Sequence, residues 1–540
     1  MQRMSRRASL WVQIIVLIVA ALAATAPVLK NGFINWDDRD QITLNPDFNP
    51  TVRLQRMIEY WRGPRFVGSL YPVSYNLFGA LSAIGRTEPN AAGETIGPRP
   101  FHVASIVLHL ASTLLVFGIL RLIVQHDVAA CFGAALFAVH PVQIEPIAWV
   151  SGMNTLLFAI FSLLAIWQYL LALRRAPRTT ARRALVIAAT IAFLLALYSK
   201  PAAVTVPIIA ALLDWLMTRL PWREVAKVPV VWLLAAMPII YLTRRMQTGE
   251  LITPTPLWMR PFVAGDALTF YLYKLVFPVR LLVDYGRTPQ WVQDHPPTWL
   301  GVLMPIALGL IGWRLRKRYP WLPIAFGVFI AALLPVLGLT PFDVQMISTV
   351  TDRYLYLAML APAMVLAFGL SRTRSQTAFV FVGAILLALL IRSNVRARQW
   401  RDEFALFEPE LQSNPRSLAA HQVLGVTHAA AGRYELAAEH LTEALQTKPD
   451  DPRSLYNLAN IQLRFGRHEE AIRLYHAALQ KFPDNAKIHN NLGVALAQIG
   501  DLDSAEMEFN RALELAPGMP EALLGLKGVA LTRSAATKPS

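Results

Sequence analysis

LWVQIIVLIVAALAATAPVLKNGFINWDD, residues 10–38, is the stretch on which the reading of the fold turns. Leu10 to Leu29 are twenty largely apolar residues behind Arg3, Arg6 and Arg7, long enough as a helix to cross a hydrocarbon core of about 30 Å. Ala23-Ala24-Thr25-Ala26 has the small residues of a signal-peptide cleavage site. Many more apolar stretches follow and need a fixed starting orientation, so a retained helix is expected. Two adjacent carboxylates, Asp37 and Asp38, stand directly behind it.

The rest of the chain supports a bilayer setting. Of 540 residues 55% are hydrophobic and 16% charged, and the mean hydropathy is +0.40, a balance unsuited to an aqueous domain. The net charge of +16 divides unevenly: residues 401–540 hold 14 Lys and Arg against 18 Asp and Glu, so the tail is −4 and the rest +20. The basic residues sit in short clusters between apolar runs, as the positive-inside rule places them, which argues against a nucleic-acid partner. The single cysteine, Cys131, excludes an internal disulfide framework.

With Arg3 to Arg7 inside, the loop after Asn31 lies outside. Apolar runs near 101–123, 128–142, 154–173, 184–198, 202–217 and 228–242 then alternate in direction and leave Arg174, Arg175, Arg178, Arg182, Arg183, Arg219 and Arg223 inside. Phe262 to Phe277 counted as a span would put Arg314 to Arg318 outside, so it is read as interfacial or re-entrant. Runs near 299–313, 321–337, 354–370 and 378–391 bring the expectation to about eleven spans. The tail then emerges on the side of the first loop, and Arg392, Arg396, Arg398 and Arg401 fall outside, against the rule.

The tail repeats at a period of 34. Gly425, Ala459 and Gly493 share one position, Ala437, Ala471 and Ala505 another, Leu441, Tyr475 and Phe509 a third, followed by Ala444, Ala478 and Ala512, then Pro449, Pro483 and Pro517. Small residues let two antiparallel helices approach, a large one fills the gap, and proline ends the second helix. This is the tetratricopeptide pattern, an α-solenoid whose concave face takes peptides or partner proteins. The expected layout is a membrane module over 1–399, a degenerate half repeat over 400–417 built on Trp400, Phe407 and Pro415, three repeats over 418–519, and a closing helix and disordered tail over 520–540. These positions read as packing. Asn457, Asn490 and Asn491 are the candidates for a peptide-binding groove, because side-chain amides can bond a peptide backbone of any sequence.

The first external loop, about residues 30–100, is long enough to be functional. Partial burial beside Trp36 would raise the pKa of one of the adjacent acids, the condition for a general base. A solvated acidic turn fits the same spacing. His140 and Glu145, five apart beside prolines, are expected to cap a helix and could orient a phosphate or acceptor; His102 and His109, seven apart on one face, read equally as a buried packing pair. Lys200 and Arg353 are phosphate candidates, against snorkelling for Lys200 and a salt bridge to Asp352 for Arg353. Tyr354 and Tyr356 read as part of an interfacial aromatic belt. The histidines are dispersed without cysteine partners, so no metal is expected.

Asn31-Gly32-Phe33-Ile34-Asn35-Trp36-Asp37-Asp38 with Asn45-Pro46, Phe101-His102-Val103 with Leu108-His109-Leu110, and Phe137-Ala138-Val139-His140-Pro141-Val142-Gln143-Ile144-Glu145-Pro146-Ile147-Ala148-Trp149 together resemble the transmembrane and tetratricopeptide-repeat O-mannosyltransferases and their bacterial relatives. Ser199-Lys200-Pro201, Asp214-Trp215 and Asp352-Arg353-Tyr354-Leu355-Tyr356 extend the resemblance across the membrane half. It implies an all-α GT-C glycosyltransferase that takes a sugar, mannose by analogy, from a polyprenyl-phosphate donor. The acceptor would be protein Ser or Thr hydroxyls on the external face, reached by a single inverting displacement with Asp37 or Asp38 as base. No obligatory cofactor is implied, and the repeats would recruit acceptor proteins. A non-catalytic membrane scaffold and a transferase acting on a surface glycan or lipid are the alternatives. The expected location is a bacterial inner membrane with the first loop and tail in the periplasm.

Overall fold

The computed structural model describes residues 2–49, 51–63, 71–89, 95–246 and 255–536 and divides into two compact units, Met1–Leu406 and Phe407–Ser540. Both are helical. Among the described residues the one extended pairing outside them is an isolated antiparallel bridge between Arg86 and Ile96.

Among the described residues of the first unit seven helices are long and apolar enough to cross a bilayer: Arg7–Lys30, Arg99–Val124, Met153–Leu173, Thr180–Ser199, Pro201–Thr218, Pro296–Leu315 and Gln376–Gln399. The chain is an integral membrane protein. Two more apolar stretches are helices broken by bends of 54° and 48°, Asp127–Val139 with Pro141–Ala148 and Asp352–Ala358 with Leu360–Leu370. Two others are the shorter apolar helices Lys227–Thr243 and Trp321–Val336. The eleven apolar runs thus all lie on helices, but straight spans number seven, or nine with each bent pair counted once. Proline explains the first bend: Pro141 has no N–H to continue the ladder and holds His140 extended at φ −74°, ψ 131°.

The first helix is built into the bundle. Ala21 packs with Ala138 and Val139. Its end lies beside the end of the last span: Asn394 Nδ2 donates to the Ala23 carbonyl at 2.8 Å, Asn31 Nδ2 to the Ala397 carbonyl at 3.2 Å, and the Gly32 N–H to the Arg401 carbonyl at 3.0 Å. The Asn35 N–H donates to Glu403 Oε1 at 3.0 Å. These bonds fasten the first loop to the last residues of this unit.

That loop has its own small core of Ile42, Phe48, Tyr60, Tyr75 and Phe78 against Phe101, Val150 and Met153, with Tyr60 and Tyr75 stacked at 4.6 Å. Segment 262–277 forms the helix Arg260–Val276, which buries Asp266 and Lys274 and falls outside the set apolar enough to span. Both charges are answered locally: Arg287 Nη1 reaches the two Asp266 oxygens at 2.5 and 2.6 Å, and Lys274 Nζ donates to the carbonyls of Val279 and Arg280.

The second unit is three helix pairs, Leu418–Ala430 with Tyr434–Thr447, Pro452–Arg464 with His468–Leu479, and Ala486–Gln498 with Leu502–Leu515, followed by Pro520–Ala536. The repeat extends to the caps. Ser417, Asp451 and Asn485, each 34 apart, accept the first free N–H groups of their helices. Gly432, Gly466 and Gly500 make the turns at φ +75°, +74° and +85°, where a side chain would be strained. Leu441, Tyr475 and Phe509 fill the gap between paired helices, fully buried. Trp400, read from sequence with the degenerate repeat, is instead buried in the first unit.

Candidate active site

The two adjacent acids have different environments. Asp38 is fully buried; Oδ2 accepts from the Ile34 N–H at 3.0 Å and Oδ1 from the Ser151 N–H at 2.8 Å. Burial pushes its carboxyl up to about 7, hydrogen bonds from Ser151 and Ile34 oppose the rise, and the neighbouring charge of Asp37 adds to it. Asp37 is half-buried and lies within electrostatic reach of Asp38 and Arg353. Asp38 therefore ties the loop to Trp149–Gly152, with Asp37 half-buried beside it.

Trp36 extends the tie by stacking on Trp149 at 5.2 Å and 13°. Trp149 in turn lies 6.5 Å from Trp400, and an arginine covers each of the last two rings: Arg353 at 5.1 Å from Trp149 and Arg396 at 5.6 Å from Trp400. Arg353 is paired. Its Nη1 lies 2.5 Å from Glu145 Oε1 and its backbone N–H donates to Oε2 at 3.2 Å, with both side chains buried. The salt bridge considered with Asp352 is thus made with Glu145, which comes from 208 residues away.

Lys200 Nζ donates to Thr155 Oγ1 at 3.0 Å and sits 5.5 Å from the Tyr354 ring, within electrostatic reach of Arg353 and Glu145. The polar end of Lys200 therefore turns into the protein. His140 caps its short helix by accepting from the Val142 N–H, while Nε2 faces the Leu275 carbonyl at 3.1 Å, so both ring nitrogens are engaged within the chain. His109 is engaged likewise, by Tyr356 Oη at 2.8 Å and the Ala138 carbonyl at 3.0 Å. His102 lies 3.4 Å from the Gly32 carbonyl. Tyr356, expected in an interfacial belt, is fully buried.

Sequence reasoning missed Arg396. It counted as one of four arginines on the wrong side of the membrane, yet it is 3% exposed, and its helix buries Ser393, Arg396, Ala397 and Trp400 on one face. Nη1 donates to Gln399 Oε1 at 3.0 Å, while Nε and Nη2 have no acceptor among the described residues. The indole N–H groups of Trp149 and Trp400 also lack one, and on the acceptor side Asp352 Oδ2 and Gln143 Oε1 are open. Asp352 Oδ1 accepts from Tyr285 Oη at 2.8 Å, and Asp352 and Arg396 are within electrostatic reach of each other. Buried donors are almost always satisfied. Four open ones beside a tryptophan stack suit a ligand rich in acceptor oxygens, and no group of three or more ligating side chains among the described residues fits a metal.

In the second unit Asn457 lines a cleft of about 150 Å³ with Val426, Tyr434, Asn460 and Arg464. Asn491 Nδ2 bonds Tyr456 Oη and Asn460 Oδ1, and Asn490, 5% exposed, donates to Asn491. Asn457 is therefore the open member of the three.

A polytopic membrane unit with a buried cationic and aromatic site and a repeat array after it is the class of protein these features define. Residues 428–474 and 456–520 match the tetratricopeptide repeat family. Over most of its length the chain is similar to proteins named protein O-mannosyl-transferases. It is 24% identical over 462 residues to protein O-mannosyl-transferase F38B6.6 of Caenorhabditis elegans, covering 81% of this chain and 63% of that protein. It is 22% identical to the Mus musculus protein O-mannosyl-transferase TMTC3, covering 86% and 54%, and 27% identical to Tmtc2 of Drosophila melanogaster, covering 47% and 28%. The chain thus spans from about a quarter to under two thirds of the length of these relatives. Among solved structures, the archaeal oligosaccharyltransferase AglB of Archaeoglobus fulgidus aligns with a TM-score of 0.39 at 14% identity, covering 74% of this chain and 56% of that one.

Proposed function

We propose that the chain is a membrane glycosyltransferase of the GT-C type. It moves a sugar, mannose by likeness to its relatives, from a polyprenyl-phosphate donor to Ser or Thr hydroxyls of proteins on the external, periplasmic face of a bacterial inner membrane. The observation that carries this reading is the set of buried open donors, Arg396 Nε and Nη2 with the indoles of Trp149 and Trp400, next to the acid loop. In the proposed reaction Asp37 accepts the proton of the acceptor hydroxyl, whose oxygen attacks the anomeric carbon. The bond from that carbon to the donor phosphate oxygen breaks, and the lipid phosphate leaves with the electron pair, its charge met by Arg396. A lipid phosphate needs no proton to leave. Asp38 holds the loop and the Glu145–Arg353 pair holds the floor.

The repeats present acceptor proteins. Both the loop and residues 397–403 lie at one end of the first unit, which supports chemistry and recruitment on a common aqueous face. The test is reconstitution in lipid with polyprenyl-phosphate-linked sugars and candidate acceptors. Ending the chain at Leu406 is expected to lower turnover of whole proteins by about tenfold or more, the loss of a tethered binding site, while short peptides still react. No sugar transfer from any such donor, or equal use of proteins with and without the tail, would overturn the corresponding half of the reading.

Removing one charge-assisted contact to phosphate costs about 1.5–3 kcal/mol. Arg396→Met is accordingly expected to raise the donor KM by about 10- to 100-fold, with the acceptor KM unchanged. An unaltered donor KM would take Arg396 out of the donor site.

A further inference from the structure

One pair of positions in the repeat array holds three different chemistries. At the first helix of each pair stand His421, Leu455 and His489, and opposite them on the second helix His440, Leu474 and Glu508, all in register at 34 residues. His421 Nε2 lies 3.0 Å from the Pro415 carbonyl and His489 Nε2 lies 2.9 Å from the Pro483 carbonyl. A carbonyl only accepts, so each Nε2 carries its proton. In the third repeat the remaining nitrogen, Nδ1, faces a carboxylate, Glu508 Oε2, at 2.5 Å. In the first repeat Nδ1 of His421 faces Nδ1 of His440 at 3.0 Å. That contact holds a single proton: His440 Nδ1–H donates to the bare Nδ1 of His421, and a second proton would set two N–H groups against each other.

We propose that the first tetratricopeptide repeat is an acid-sensitive joint: protonation of the His421–His440 pair opens the contact between its two helices while the second and third repeats keep theirs. Burial, with the neighbouring His421 and His428, holds His440 below the ordinary imidazole range, with Glu439 and Glu443 opposing. His428, stacked on His440 with ring centroids 5.3 Å apart, is lowered by burial and Arg433, and Glu408 opposes. Among the other charged groups near these helices, Glu410 accepts from Ser417, and Asp451, beside Lys448, accepts from Gln422. A histidine with a lowered folded-state pKa supplies stability that is present above its unfolded value and lost as pH falls toward the folded one. One wall of the cleft, Val426, Ala429, Tyr434 and Leu441, belongs to this repeat and the other, Asn457, Asn460, Ile461 and Arg464, to the next, so the joint sets whether cargo is held in neutral or mildly acidic surroundings.

Hydrogen exchange of the full-length protein in lipid, corrected for intrinsic rates and compared at about pH 7.5 and about pH 5, tests the joint. Peptides from 418–447 are expected to exchange about tenfold or more faster in acid, with those from 452–479 and 486–515 changing less than twofold. His440→Glu installs the third repeat's partner and His440→Leu half of the second repeat's; each is expected to abolish the acid response of 418–447. Equal acceleration in all three repeats, or an acid response that persists in both variants, would overturn the proposal.

Discussion

Asp37→Asn is expected to lower sugar transfer by about 10²–10⁴-fold, the range a positioned general base supplies. Asp38→Asn is expected to act differently. An amide has one acceptor oxygen where the carboxylate offers two, so one of the bonds from Ile34 and Ser151 is lost and an N–H is left facing an N–H. The cost is about 1–3 kcal/mol, read as loosening of the loop and a smaller fall in turnover. The two variants also separate by pH. The Asp38 carboxyl is raised from its ordinary value of 3.8 to about 7, so its protonated form is the one the fold prefers. Its contribution is whole below pH about 4 and is lost as pH rises through about 7, a difference of a few kcal/mol at most. Unfolding of wild type and Asp37→Asn across that window should show the decline, and Asp38→Asn should not. Equal turnover in Asp37→Asn and wild type would remove Asp37 as the base.

The second large effect concerns the Glu145–Arg353 pair. Removing one partner of a buried ion pair leaves the other charge without water or counterion, a cost of about 3–5 kcal/mol. Glu145→Gln and Arg353→Gln are each expected to destabilise the membrane unit by that order, and the double variant by less than their sum. Thermal unfolding in lipid measures all three. Single variants within about 0.5 kcal/mol of wild type, the usual effect of a surface substitution, would show that the pair does not hold the site together.

Much of the architecture was readable because it is periodic. Apolar runs of span length and a repeat of 34 residues are local signals, and both survive without knowledge of any distant contact. The site was readable only in outline. Asp37 and Asp38 look alike in sequence, and the difference between them is made by Ser151, 113 residues on. Arg353 stands next to Asp352, yet its partner is Glu145, brought up where Pro141 breaks a helix. Arg396 was visible as a violation of charge topology, and spacing its helix at 393, 396, 397 and 400 would have marked a buried face. Hydropathy hid that face because a span that is apolar on every side gives no signal of which side packs inward. The histidine pair in the first repeat needed only the three copies laid over one another.

The bonds from Asn31, Gly32 and Asn35 to Ala397, Arg401 and Glu403 join the beginning of the membrane unit to its end. A ribosome making this protein releases the acid loop early and its fastening residues 366 to 368 positions later. Throughout that interval the nascent chain carries an unfinished pocket, and the last span closes it like a keystone. On the proposed function, catalytic competence is acquired in one late step of biogenesis, after every earlier span has been threaded into lipid.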